Sequence, residues 1–134
     1  HEGINTGGWG LFLKTEDLAK MGLMILQNGQ FDGKQIVPAE WIEAASAAQV
    51  PCVPAGLNSD DAAKLKKFAK ESDWLQGYGY QMWISSDGAP RLDGAGGQIC
   101  VIYPEKDLVI AVHCHTNDTM GLLKSIRTRI ASQF

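Results

Sequence analysis

Residues 94–103 read Gly94-Ala95-Gly96-Gly97-Gln98-Ile99-Cys100-Val101-Ile102-Tyr103, followed by the turn sequence Pro104-Glu105-Lys106-Asp107 and an apolar run from Leu108 to His115. Ile99, Val101 and Tyr103 alternate as one strand, and residues 108–115 supply another. Four residues separate the two runs. A parallel crossover needs about a dozen or more, so the pair is antiparallel. The glycine-rich bend opens the first strand with backbone that no side chain obstructs, where N–H groups can approach a ligand closely. Such amides form anion-binding concavities and oxyanion holes. A plain bulge or bend at a sheet edge is the simpler local explanation.

Working back, Tyr78, Tyr80, Met82 and Ile84 alternate with Gly79, Gln81, Trp83 and Ser85, an expected strand bounded by Asp87-Gly88. Earlier segments have the helical period. Thr15 is the expected N-cap of a first helix, with Glu16 and Asp17 in its first turn and Asn28-Gly29 ending it. Leu18, Met21, Leu23, Met24, Ile25 and Leu26 make that helix apolar nearly all round, so it should be largely buried. Pro38 suits the first position of a second helix through about Ala48, packing with Trp41, Ala44, Ala45 and Ala48. Pro51, Pro54 and Gly56 interrupt regular structure. A short amphipathic helix is expected at 61–72, with Leu65, Phe68 and Ala69 on one side.

Beyond the strands, Met120, Leu123, Ile126, Ile130 and Phe134 mark a C-terminal helix that should cover one face of the sheet, with Lys124, Arg127 and Arg129 exposed. Helices followed by an antiparallel meander of about three strands and a closing helix belong to the α+β class. So small a sheet leaves an uncovered edge, which points to strands missing upstream.

The chain has 134 residues, 45% of them hydrophobic and 20% charged, which fits one globular domain. A formal net charge of -3 gives no electrostatic case for nucleic acid or an anionic membrane. The lysines from Lys64 to Lys70 have acidic neighbours and suit a solvated helix face. No apolar run approaches the ~20 residues of a membrane span.

Chemistry-bearing side chains are sparse. His113 and His115 lie two apart on an expected strand and share a face, but no second cluster completes a metal site. Adjacent strand residues face opposite ways, so neither imidazole serves Cys114 as a base. Cys100 and Cys114 are therefore expected to be small, inert core residues. The three cysteines form no Cys-x-x-Cys pair. No serine stands in Gly-x-Ser-x-Gly or has lysine three residues later, so no activated serine is readable. Gly94–Gly97 also lacks the Gly-Lys-Ser/Thr ending of a phosphate loop.

The order of segments is similar to that of a known family. Thr6-Gly7-Gly8-Trp9-Gly10 followed by Thr15-Glu16-Asp17-Leu18-Ala19-Lys20-Met21-Gly22 resembles the approach to the helical part of serine β-lactamase-like proteins. That family includes class C β-lactamases, D-alanyl-D-alanine carboxypeptidases, and related esterases and amide hydrolases. Gly33-Lys34-Gln35-Ile36-Val37-Pro38 with Trp41-Ile42, and Gly77-Tyr78-Gly79-Tyr80-Gln81-Met82-Trp83, resemble its next stretches. Gly94-Ala95-Gly96-Gly97-Gln98 through Pro104-Glu105-Lys106-Asp107-Leu108 resembles the strand bearing its third motif. The likeness runs nearly end to end, weakest at 49–76.

That resemblance implies a partial β-lactamase/transpeptidase-like fold, with residues 1–134 the C-terminal part of a larger domain. The implied activity is acyl transfer through a serine-bound acyl-enzyme, with no cofactor and no metal. The family's Ser-x-x-Lys and Tyr-x-Asn elements do not occur in these residues, so the isolated chain should be catalytically silent. Lys14-Thr15 is a decoy, because glutamate follows and the pair caps a helix. The third motif, usually Lys-Thr-Gly or a histidine or tryptophan variant, matches Gly94-Ala95-Gly96. The lysine that would hold a substrate carboxylate is missing, which favours an esterase- or peptidase-like relative over a β-lactamase. The resemblance makes Gly97 the backbone oxyanion donor, and Gly94, Ala95, Gly96 and Asn117 substrate contacts. The implied partners are a small-molecule or peptide substrate and the missing N-terminal part of the fold. The implied setting is the bacterial cell envelope or another extracytoplasmic location. Two other readings remain open: a non-catalytic peptide- or muropeptide-binding module, and a structural domain forming a homodimer through the exposed sheet edge.

Overall fold

The computed structural model describes Gly3 and residues 10–52 and 59–134. The Thr6–Trp9 stretch and the breaks at Pro54 and Gly56 lie outside the described residues.

Helix α1 spans Thr15–Leu26. A two-stranded ribbon follows, β1 (Gln30–Phe31) with β2 (Lys34–Gln35), then α2 (Ala39–Ser46) and α3 (Ser59–Ala69). The main sheet is an antiparallel meander of four strands in sequence order: β3 (Trp83–Ile84), β4 (Pro90–Gly94), β5 (Gln98–Tyr103) and β6 (Leu108–His113). Helix α4 (Thr119–Ser125) closes the chain, continued by a π-helical turn at Ile126–Ile130 and a 3-10 turn at Ala131–Gln133. The chain is thus α+β, with four strands where three are expected.

Alternation in β5 divides the core into two layers. Ile99, Val101 and Tyr103 face α4 and pack with Leu123, Ile126 and Ala131. Cys100 and Ile102 face the other way, against Ile25 of α1 and Ile42 and Ala45 of α2. Gly22 lets α1 approach closely: a Cβ there would lie 2.5 Å from Cys100 Sγ and 2.6 Å from Val109 Cγ1.

The extra strand is Pro90–Gly94, which carries the charged residues Arg91 and Asp93. Both are buried as an ion pair at 2.9 Å, so the segment is an inner strand despite its charges. The expected strand at 78–85 is instead a tight double-back. Tyr78 bridges Trp83, Gly79 N–H donates to the Met82 carbonyl at 2.7 Å, and Gln81 takes a positive φ of 63°. Only Trp83 and Ile84 join the sheet.

Several helix details also differ. Lys14, with extended backbone, occupies the N-cap of α1, and Thr15 is already helical, its hydroxyl 3.2 Å from His113 Nδ1. Helix α1 is buried on one face only, and Leu23 is exposed. Pro38 caps α2 from outside, the helix stops at Ser46, and its buried pair is Ile42 and Ala45. Trp41 stays exposed and stacks on Tyr80 with ring centroids 5.1 Å apart. Helix α3 begins and ends earlier than expected and leaves Phe68 exposed. In the C-terminal segment the π turn inserts an extra residue into the face. Ala131, in place of Ile130, therefore reaches the core, and Phe134 is exposed. No helix among the described residues is long and apolar enough to cross a membrane.

Candidate functional site

Pairing of Gly94 with Gln98 closes the β4–β5 hairpin over Ala95, Gly96 and Gly97. Gly96 and Gly97 have φ of 85° and 95°, a left-handed bend that L side chains rarely tolerate. The Gln98 side chain reaches back from Nε2 to the Ala95 carbonyl at 3.1 Å. The turn is therefore a defined bend.

Two features set its surroundings. Strand β3 pairs with β4 only at Pro90 and Arg91, so Leu92, Asp93 and Gly94 have no strand neighbour on that side among the described residues. On the other side, the segment after β6 straps the turn. Cys114 N–H donates to the Gly97 carbonyl and Thr116 N–H to the Gly96 carbonyl, each at 3.0 Å. Gly97 is buried: a Cβ there would lie 2.5 Å from Cys114 Sγ and 2.9 Å from Thr116 Cγ2. Both carbonyls are spent, whereas Gly97 N–H has no backbone acceptor among the described residues.

The expected site residues thus fall at one end of the sheet. Gly94 and Gly96 are half-buried, Ala95 is exposed, and Asn117 is exposed on the strap, next to Thr116. Cys114 corrects the expectation of a core cysteine. Strand β6 ends at His113, and past it the thiol is exposed, with Sγ 3.5 Å from the Gly97 carbonyl. Cys100 is the buried cysteine, and burial pushes its thiol up to about 11. His113 is occupied by Thr15, and the described residues hold no group of three or more His, Cys, Asp or Glu arranged for a metal ion.

The sequence reading missed a buried polar network beneath the α4 face. Asp73 Oδ1 accepts from Ser86 N–H at 2.7 Å, Ser86 Oγ at 2.8 Å and Arg127 Nη1 at 3.0 Å. Arg127 therefore turns inward, away from the solvent face expected for it. Burial pushes the Asp73 carboxyl up, but these donors outweigh it and hold the carboxyl below 3.8. Arg91 binds Asp93 and Ser85 and lies 4.9 Å from the Trp74 ring centroid. The available signal was Arg91 and Asp93 two apart in an extended run, where both must face the same way.

A shallow cleft of about 340 Å³ lies between Asp87–Pro90 and Tyr103–Lys106. It sits at the far end of β5, roughly 17 Å along the strand from the glycine turn. Burial, with Asp87 beside it, pushes the Tyr103 phenol up to about 12, so it stays protonated near neutral pH.

No protein-family model matches the chain, and no curated protein matches its sequence.

Proposed function

We propose that this chain is the C-terminal part of a serine β-lactamase-like hydrolase, acting by acyl transfer on an ester, amide or β-lactam. The observation that carries the proposal is the strapped glycine turn beside a strand edge that has no neighbour among the described residues, with no backbone acceptor for Gly97 N–H among them. A substrate would lie along Leu92–Gly94 with its carbonyl oxygen towards the turn. When a serine oxygen bonds to the carbonyl carbon, its proton passes to a base in the upstream part of the fold, the carbonyl π pair moves onto the carbonyl oxygen, and Gly97 N–H donates to that oxyanion. Collapse re-forms the carbonyl and expels the leaving group, which takes the proton from the base, and water then hydrolyses the acyl-serine ester to release the acid and restore the serine. One such donor supplies ~3–4 kcal/mol of transition-state stabilisation. The nucleophile belongs to the upstream part of the fold, so the chain by itself is inactive.

Nitrocefin and p-nitrophenyl esters offered to the polypeptide test this. Background hydrolysis only is expected, and serine-dependent turnover well above buffer contradicts it. In the parent protein, Gly97→Pro removes the donor and should cut acyl transfer; unchanged activity refutes the role, and a loss counts in its favour only where circular dichroism shows the fold retained, since proline cannot take the positive φ of 95° at this site. The free edge at Leu92–Gly94 also favours a second reading, peptide capture by strand addition without catalysis. An upstream Ser-x-x-Lys would argue against that reading. The outer edge of β6 likewise has no strand neighbour among the described residues, and a homodimer formed there would show in the solution mass.

A further inference from the structure

We infer that Thr116 is the positioning residue of the glycine turn, fixing the direction of the Gly97 N–H; this rests on the acyl-transfer reading above. Three contacts from one residue converge. Its N–H holds the Gly96 carbonyl at 3.0 Å, its Cγ2 packs against Gly97, and its Oγ1 accepts the Asp118 N–H at 3.0 Å. Asp118 in turn accepts Gly121 N–H at 2.8 Å, capping α4. The turn is thereby tied through Thr116 to a helix seated on the core. Glycines at positive φ have many accessible conformations and lose the most freedom on ordering. An oxyanion donor must nevertheless be aimed before the charge develops. Thr116 supplies that aim without touching substrate.

Amide NMR on the full chain tests the assignment with Thr116→Ala and Thr116→Ser. In the alanine variant the Gly97 amide resonance should move and Cys114 N–H exchange should rise about tenfold, with Ile99 and Val101 unchanged. Serine keeps the hydroxyl and should restore exchange to within about threefold of the native rate. An unmoved Gly97 resonance with native Cys114 exchange overturns the assignment, as does equal acceleration at Ile99 and Val101. Methylphosphonate serves as the oxyanion probe. It should shift the Gly97 amide of the native chain, and less in the alanine variant. No shift in the native chain counts against the donor role of Gly97, and the exchange data alone then decide whether Thr116 holds the turn.

Discussion

Arg127 Nη1 donates to Asp73 Oδ1 at 3.0 Å, joining the C-terminal helical segment to the loop ahead of β3 across 54 residues of sequence. Asp73 is fully buried, and it also holds the β3–β4 turn through both donors of Ser86. One carboxylate thus fastens three parts of the chain around the α4 face. Removing a partner from a buried charge costs more than the pair contributes, because the remaining charge stays desolvated.

Arg127→Met should therefore destabilise the fold by about 2–4 kcal/mol, towards the lower end because the arginine is partly exposed. Urea unfolding followed by tryptophan fluorescence measures it, and a change below about 0.5 kcal/mol would be ordinary surface behaviour.

Acid should weaken the fold through the same carboxylate. Asp73 is held below 3.8 when folded, so as pH falls the unfolded chain takes up the proton first. Its stabilisation is complete above the unfolded value and is lost as pH drops through the folded one. Asp93 works in the opposite sense. Burial outweighs its bond to Arg91 and raises its carboxyl above 3.8, so its contribution is lost as pH rises through the folded value. Asp73→Asn should flatten the loss of thermal stability between about pH 5 and pH 2. An unchanged slope would remove Asp73 from that role.

The neighbouring glycines at 96 and 97 should respond unequally to substitution. Both have positive φ, but a Cβ at Gly96 meets open space whereas one at Gly97 strikes Cys114 and Thr116. Gly96→Ala should cost about 1 kcal/mol of backbone strain and Gly97→Ala about 2–4 kcal/mol, strain plus overpacking. Thermal unfolding of the two variants tests the order, and equal losses would mean that the strap gives way freely.

Thiol reactivity should separate the cysteines. Cys114 is exposed, while Cys100 is buried and its thiol is pushed up to about 11. Ellman's reagent should label Cys114 in the folded chain and reach Cys100 only after denaturant is added. Cys52 is half-buried and can also react, so the check is Cys114→Ser in a Cys52→Ser background, where the fast phase should vanish.

The fold class and the β5–β6 hairpin were legible because hydrophobic alternation at 99–103 and the four-residue turn at 104–107 are local signals. Strand β4 was hidden, since its burial of Arg91 depends on Asp93, Ser85 and Trp74, and pattern reading assigns charges to the surface. The apparent strand at 78–85 failed for a tertiary reason. Gly79 presses on the Ala45 carbonyl of α2, which folds the alternation into a turn. At the candidate site the glycines stood out in the sequence. The strap did not, because bonds from Cys114 and Thr116 to Gly97 and Gly96 span the whole β5–β6 hairpin.

Reading the coding sequence upstream of the His1 codon tests the proposed function most directly. An in-frame Ser-x-x-Lys followed by Tyr-x-Asn is the expected result, completing the acyl-transfer machinery around the Gly97 N–H. An open reading frame that carries neither element would contradict a serine hydrolase and leave the glycine turn as a structural bend or a peptide-binding edge.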